Sequence, residues 1–168
     1  MNSPDLALLV LRSWLGVVMV AHGINHTRSI DGTASWFASK GFNQARLNAQ
    51  ASALGEIIIG LGLVFGLATP FAAAGLVATM TVAFGSIHRF AGFFVFARPD
   101  EGWEYVATLA VAALALATLG PGSWSLDNAL GFAAMPAGWA GLGVGLTGVA
   151  AGVVQLAVFW RPPGGERT

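Results

Sequence analysis

The chain contains no cysteine and very little charge. Lys, Arg, Asp and Glu together make up 10% of its 168 residues, and the formal net charge is zero, whereas a soluble domain carries about 25% charged residues. The absence of cysteine excludes a disulfide framework, a thiolate metal site and a dithiol redox relay within this chain. The balanced charge provides no basic surface for nucleic acid. The remaining composition, with 55% hydrophobic residues, indicates a polytopic membrane protein.

Five apolar segments have about the length that a helix needs to cross a bilayer, which is roughly 20 residues. They span residues 6–26, 49–68, 71–88, 103–119 and 139–160. Pro70 lies in a tight turn between the second and third segments, so these two should form an antiparallel hairpin. We expect an all-α fold: a polytopic transmembrane four-helix bundle over residues 1–127, with an additional fifth transmembrane helix and a cytoplasmic tail over residues 128–168. The first segment lacks a basic n-region and a cleavage motif and is expected to be a retained span.

All basic residues outside the first segment fall on one side of this topology. That side holds Arg28, Lys40, Arg46, Arg89, Arg98, Arg161 and Arg167. The positive-inside rule therefore predicts a multi-pass protein of the cell membrane with its N-terminus outside and its C-terminus in the cytoplasm. Within the long first loop, residues 33–42 combine aromatic and small polar side chains and reach Gly41. This pattern predicts a short interfacial helix.

Ionisable residues inside the apolar segments mark the candidate site. Such a group costs roughly 2.5–3.5 kcal/mol in hydrocarbon by insertion scales, so it normally faces a protein interior. His22 and His26 are four residues apart and share a helix face. The residues expected at similar depth near the basic side are His22, His26, Glu56, His88, Glu104 and Tyr105. We expect the three histidines and Glu56 to converge on one cavity, with Glu104 and Tyr105 at its mouth.

This cluster is compatible with several occupants, and the sequence requires none of them. Together with Glu56, the histidines His22, His26 and His88 form a donor set that suits zinc, copper or iron, and paired histidines also bind haem. A quinone carbonyl could accept a hydrogen bond from a histidine while Glu56 or Glu104 handles the proton. The structural alternative is a self-satisfied hydrogen-bond network that binds nothing.

Arg12 lies further from the basic side than these residues, inside the first segment. An unpaired guanidinium in the membrane is expensive, so a partner is expected. Asp127, reaching back from the opposite loop, is the favoured partner in an intramembrane pair, and Glu56 is the alternative.

Stripes of small residues predict close helix contacts. Gly62 and Gly66 form one in the second segment, and another in the fifth consists of Gly141, Gly145, Gly148 and Gly152. Packing within the chain is one outcome for the second stripe. Because the fifth segment lacks ionisable residues, the other is that this face docks further membrane subunits or a second copy of the chain. The lipid bilayer is the remaining expected partner.

A series of short motifs follows in order along residues 12–127. It consists of Arg12 with His22-Gly23, the run Gly32-Thr33-Ala34-Ser35-Trp36-Phe37 through Gly41, Glu56 with Gly60, Leu67-Ala68-Thr69 before Pro70, Glu104-Tyr105, and Gly120-Pro121-Gly122 with Ser125-Leu126-Asp127. In this order the motifs resemble the DoxX family of small four-helix membrane proteins. The chain departs from the family at His26, where a lysine is frequent, and in its fifth segment, which follows the end of the family core.

The resemblance implies a four-helix bundle associated with respiratory or sulfur redox chemistry. One branch of the family resembles a subunit of thiosulfate:quinone oxidoreductase, and others are accessory or chaperone-like membrane proteins. The function expected is therefore an accessory subunit of a membrane complex, of a redox or respiratory kind, with an intramembrane polar site. The alternative is a quinone- or metal-dependent membrane oxidoreductase subunit that uses the His/Glu cluster. Because a fold does not determine an activity, the site decides between them.

Overall fold

A computed structural model describes residues 3–96, 99–132 and 135–162. In these ranges the chain forms seven α-helices and one short 3-10 helix, His88–Phe90, with no strand. The helices are α1 (Ser3–Thr27), α2 (Ile30–Ser39), α3 (Ala45–Phe65), α4 (Thr69–Ser86), α5 (Glu104–Leu119), α6 (Leu126–Ala129) and α7 (Gly138–Phe159). The predicted all-helical fold is confirmed. Among the described helices, α1, α3, α4 and α7 are long and apolar enough to cross a membrane, whereas α5 is apolar but has only 16 residues.

Two local predictions from the loop sequences are confirmed. The short helix expected in the first loop is α2, where the Ser29 hydroxyl caps the N-terminus by accepting from the Gly32 N–H at 3.1 Å. Beyond it, Gly41 adopts a left-handed conformation with φ of 92°, as expected of a residue that follows a helix. The turn at Pro70 is also present, because α3 ends at the left-handed Gly66 and Pro70 occupies the first turn of α4.

Helices α1 and α3 pack closely through small residues that face each other. A Cβ atom added at Gly16 would lie 2.5 Å from the Gly60 carbonyl oxygen, and one added at Gly23 would lie 2.7 Å from the Ala53 carbonyl oxygen. Gly16 and Gly23 are seven residues apart on α1, and Ala53 and Gly60 are seven residues apart on α3. Residues seven apart lie on the same face of a helix. The contact therefore holds the two backbones at a distance that excludes larger side chains.

Helix α7 packs against α4 and α5 through its glycine stripe. Gly141, Gly145, Gly148 and Gly152 are buried, and a Cβ added at Gly152 would lie 2.7 Å from the side chain of Thr81 on α4. The prediction that this face docks another subunit or a second copy is wrong, because α4 and α5 already occupy it. The division of the chain at residue 127 stays a prediction.

The C-terminal end of α7 is bonded to the segment between α2 and α3. The Asn43 N–H donates to the Phe159 carbonyl at 2.7 Å, and the Arg161 N–H donates to the Gly41 carbonyl at 2.9 Å. The Trp160 indole also donates to the Lys40 carbonyl at 2.8 Å. These bonds hold α2 and the start of α3 over the end of the bundle that contains the candidate site.

Candidate intramembrane ligand site

A partly open cavity of about 820 Å³ lies at this end of the bundle, where α1 ends and α3 and α5 begin. Small-molecule sites commonly measure about 300–1,000 Å³. The residues predicted for the site that line it are His22, His26, Glu56, His88 and Tyr105. Apolar side chains such as Val18, Met80 and Leu109 form much of the wall. The structure therefore brings the polar groups of several helices to one mostly apolar space.

The first polar cluster consists of Glu56, Ser52 and His26. Glu56 is buried on α3 with 5% of its surface exposed. Its Oε1 accepts a hydrogen bond from the Ser52 hydroxyl, one turn earlier on the same helix, and lies 3.7 Å from Nε2 of His26. Its Oε2 is buried and has no hydrogen-bond partner among the described residues. A buried oxygen without a hydrogen bond raises the free energy of the folded protein. A ligand that donates a hydrogen bond to this atom would remove that cost.

His22 and His26 share a face of α1, and both line the cavity. They differ in burial, since the side chain of His22 is exposed whereas that of His26 is 20% exposed. His26 is therefore the member of the pair that approaches Glu56, and His22 lies nearer the opening.

The second polar cluster joins the 3-10 helix to α5. His88 is 6% exposed, its Nδ1 lies 2.6 Å from the Glu101 carbonyl oxygen, and its Nε2 lies 2.8 Å from the Tyr105 hydroxyl. A carbonyl oxygen only accepts hydrogen bonds, so Nδ1 carries the proton. In the neutral imidazole Nε2 is then an acceptor, and the Tyr105 hydroxyl donates to it.

The structure places Glu101 rather than Glu104 at the cavity. Glu104 instead lines a more open depression along α5, which adjoins the cavity at Val18, Tyr105 and Leu109. The preceding loop folds back on itself, since the Gly102 N–H donates to the Phe94 carbonyl at 3.1 Å and the Trp103 N–H to the Gly92 carbonyl at 3.0 Å. This fold brings Asp100 and Glu101 to the cavity, and no spacing pattern in the sequence signals it.

Three further polar residues at the cavity were missed, and two of them, Asp100 and Gln155, depend on long-range contacts. Asp100 forms an ion pair with Lys40 at 2.7 Å, which joins α2 to the loop before α5. Gln155 reaches the cavity from α7 and donates to the Asn48 side-chain oxygen at 3.2 Å. Ser52 could have been inferred as a partner from its position one helical turn before Glu56.

The metal site predicted at His22, His26 and His88 is not formed in this geometry. Across the described parts of the chain, no group of three His, Cys, Asp or Glu side chains is arranged to hold a metal ion. The physical reason is that both ring nitrogens of His88 already have partners, the Glu101 carbonyl and the Tyr105 hydroxyl.

Arg12 is buried at the opposite end of the bundle, with 2% of its surface exposed. Its guanidinium donates to the carbonyls of Leu63 at 3.2 Å and Val64 at 2.7 Å, and also to the carbonyl of Trp124. Leu63 and Val64 belong to the last turn of α3, where carbonyls lack the N–H groups of a following turn, although the Leu63 carbonyl also accepts from the Gly66 N–H at 3.3 Å. A cation at this terminus is also favoured by the helix dipole.

Asp127 is fully buried and caps α4 from outside that helix. Its carboxylate accepts from the Ala68 N–H at 2.7 Å, the Thr69 N–H at 2.9 Å and the Thr69 hydroxyl at 2.8 Å. Ala68, the N-cap residue of α4, has no side chain that could perform this role. The predicted direct ion pair between Arg12 and Asp127 is therefore not formed. Arg12 instead donates to carbonyls at the end of α3, and Asp127 accepts from N–H groups at the start of α4.

Comparison with known families matches residues 7–89 to the DoxX family. The matched segment contains Arg12, His22, His26, Glu56 and His88, and it ends before Tyr105 and Asp127. No curated protein and no solved structure matches the chain significantly. The family match and the long apolar helices agree with the multi-pass architecture expected from the sequence. The chain is a multi-pass membrane protein that belongs to the DoxX family.

Proposed function

We propose that this protein is an accessory subunit of a membrane redox complex and that its cavity binds the headgroup of a lipid-soluble quinone. The observation that carries the proposal is the cavity itself, which combines apolar walls with two polar clusters on different helices. The headgroup of a quinone, or of its reduced quinol, is a flat ring with an oxygen at each end, so it is best held by polar groups on separate walls. The cluster of Glu56, Ser52 and His26 and the cluster of His88 and Tyr105 supply such partners.

An accessory role fits the residues that this chain offers for redox chemistry. It has no cysteine, and in its described ranges no three ligating side chains converge to hold a metal. Electrons to or from a bound quinone would therefore pass through a partner subunit. The proposed division of labour is that this subunit positions the headgroup and its partner supplies the redox centre.

Quinone should co-purify with the protein and should be lost when the cavity is filled. Gly55 lines the cavity, and a Cβ atom added there meets no atom within 4 Å, so Gly55→Trp adds bulk without a backbone clash. We expect organic extraction followed by liquid chromatography to recover quinone from the wild type and about tenfold less from this variant, which corresponds to about 1.4 kcal/mol of binding free energy.

Gly143→Trp is the matched control for this experiment. Gly143 is also open, with no atom within 4 Å of an added Cβ, and it lies on α7 outside the residues that line the cavity. Its quinone content should equal that of the wild type. Equal quinone content in the Gly55 and Gly143 variants, or none in the wild type, would contradict the proposal.

We also propose that the cavity opens at the cytoplasmic side, with the N-terminus outside and the C-terminus inside. This orientation is supported by the basic residues Arg28, Lys40, Arg46, Arg89 and Arg161, which lie within or next to the helix ends at the cavity end of the bundle, whereas Arg98 and Arg167 lie outside the described residues. A green fluorescent protein fused after Thr168 should fluoresce, and alkaline phosphatase at the same position should be inactive. The reverse pattern would place the C-terminus outside and refute this orientation.

A further inference from the structure

Most of the hydroxyl groups that line the cavity donate a hydrogen bond to another group of the protein. Six hydroxyl side chains line it, namely Ser29, Thr33, Ser52, Thr79, Ser86 and Tyr105. Five of them donate internally: Thr33 to the His26 carbonyl, Ser52 to Glu56, Thr79 to the Gly75 carbonyl, Ser86 to the Val82 carbonyl, and Tyr105 to His88. A hydroxyl has one donor and two acceptor lone pairs. These five can therefore offer a ligand only acceptor positions.

The contacts of Tyr105 show how a hydroxyl group at the cavity is left with acceptor positions only. The Glu101 carbonyl requires the proton of His88 on Nδ1, at 2.6 Å, and leaves Nε2 as the acceptor of the Tyr105 O–H at 2.8 Å. The phenol oxygen then has only lone pairs for the cavity. Glu101 thus acts as a positioning residue through its backbone carbonyl.

Glu56 supplies the second acceptor, from the opposite polar cluster. Its Oε1 is engaged by Ser52 and faces His26, whereas its buried Oε2 has no partner among the described residues. The cavity-lining side chains with N–H groups fall into two sets: His22, Asn25 and Trp36 are exposed, whereas His26 and Gln155 are partly buried. Nε2 of His26 lies 3.7 Å from Oε1 of Glu56, and Gln155 donates to the Asn48 side chain. The exposed donors therefore lie at the opening, and the partly buried donors face groups of the protein, which leaves the oxygens of Glu56 and Tyr105 as acceptors inside the cavity.

On the basis of the proposed quinone site, we infer that the cavity binds the reduced quinol in preference to the oxidised quinone. A quinone presents two carbonyl acceptors, which would face the acceptor oxygens of Glu56 and Tyr105 without any hydrogen bond. The quinol presents two O–H donors on a ring of nearly the same shape, and each can satisfy one of these oxygens. Oε2 of Glu56 is buried without another partner among the described residues, and a buried acceptor gains most from a new hydrogen bond, so Glu56 dominates the selectivity.

The inference is tested by anaerobic calorimetric titration of the full-length protein in nanodiscs. Three probes of similar shape are used: duroquinol, duroquinone and the dimethyl ether of duroquinol, which lacks both donors. We expect duroquinol to bind about tenfold more tightly than duroquinone, and the ether to bind as weakly as duroquinone. The comparison among probes needs no variant, so it is independent of any effect of mutation on folding.

Glu56→Gln identifies the residue that is responsible. Glutamine keeps the shape of the side chain but presents an N–H₂ donor beside its oxygen, so the preference for duroquinol should fall to about twofold or less. Glu104→Gln is the matched control, because Glu104 lies outside the cavity, and it should keep the wild-type ratio.

The outcomes separate this inference from the proposed function. Duroquinone binding as tightly as duroquinol, or an unchanged ratio in Glu56→Gln, would overturn the selectivity while leaving the quinone site in place. Failure of the wild type to bind any of the three probes would overturn both. Tight binding of the ether would show that shape alone is recognised and would also refute the inference.

Discussion

Replacing Arg12 with leucine is expected to lower the melting temperature of the purified protein by roughly 10 °C. Arg12 is 2% exposed and donates to the carbonyls of Leu63, Val64 and Trp124. Its loss leaves the Val64 and Trp124 carbonyls without this partner inside the bundle, while the Leu63 carbonyl keeps the Gly66 N–H, and each buried acceptor left unsatisfied costs about 1–3 kcal/mol. In a chain of this size, about 1 kcal/mol corresponds to about 2–4 °C. Thermal denaturation followed by size-exclusion chromatography in detergent measures the change.

Two further variants of basic residues test whether the stability lost in Arg12→Leu comes from the buried hydrogen bonds of the guanidinium. Arg12→Lys keeps the charge but offers a single ammonium, which cannot reach the carbonyls of two segments as the guanidinium does, so its effect should be intermediate. Arg46→Leu removes a guanidinium that is 67% exposed and pairs with Asp31 at the surface, and should change the melting temperature little. Equal stability of the Arg12→Leu and Arg46→Leu proteins would show that the buried network contributes nothing.

Asp127→Ala is expected to be strongly destabilising as well, by about 3 kcal/mol or more, because it leaves three buried donors unsatisfied at about 1–3 kcal/mol each. The carboxylate is fully buried and accepts from two backbone N–H groups and one hydroxyl at the start of α4. Alanine leaves these donors without partners and removes a negative charge from a helix N-terminus, where it interacts favourably with the dipole. The α3–α4 turn should loosen, which limited proteolysis in detergent can detect as earlier cleavage between Phe65 and Pro70.

The conservative variant separates hydrogen bonding from charge at this position. Asp127→Asn keeps one acceptor oxygen but places an N–H₂ group against a backbone N–H, so it should be less stable than the wild type and more stable than Asp127→Ala. Asp31→Ala, which removes an aspartate whose side chain is 83% exposed, should leave the melting temperature nearly unchanged. An Asp127→Ala protein as stable as the Asp31→Ala protein would contradict the capping role.

The membrane-spanning architecture could be predicted from the sequence because it depends on local properties. A helix must present about 20 apolar residues to cross a bilayer, and this requirement is visible along α1, α3, α4 and α7 without any knowledge of their packing. The spacing of His22 and His26 likewise determines a shared helix face, and both line the cavity. Gly41 and Pro70 marked chain turns through conformational preferences of single residues.

The partners of the polar side chains were decided only by the tertiary structure. Burial of Arg12 and Asp127 made partners obligatory, yet those partners are mainly backbone groups around the α3–α4 turn, which carry no sequence signature. In the same way, the glycine stripe of α7 predicted a close contact without specifying that α4 and α5 would form it. The loop before α5 brought Glu101 rather than Glu104 to His88, because the direction in which a side chain or carbonyl points depends on how distant segments pack and not on its position along the chain.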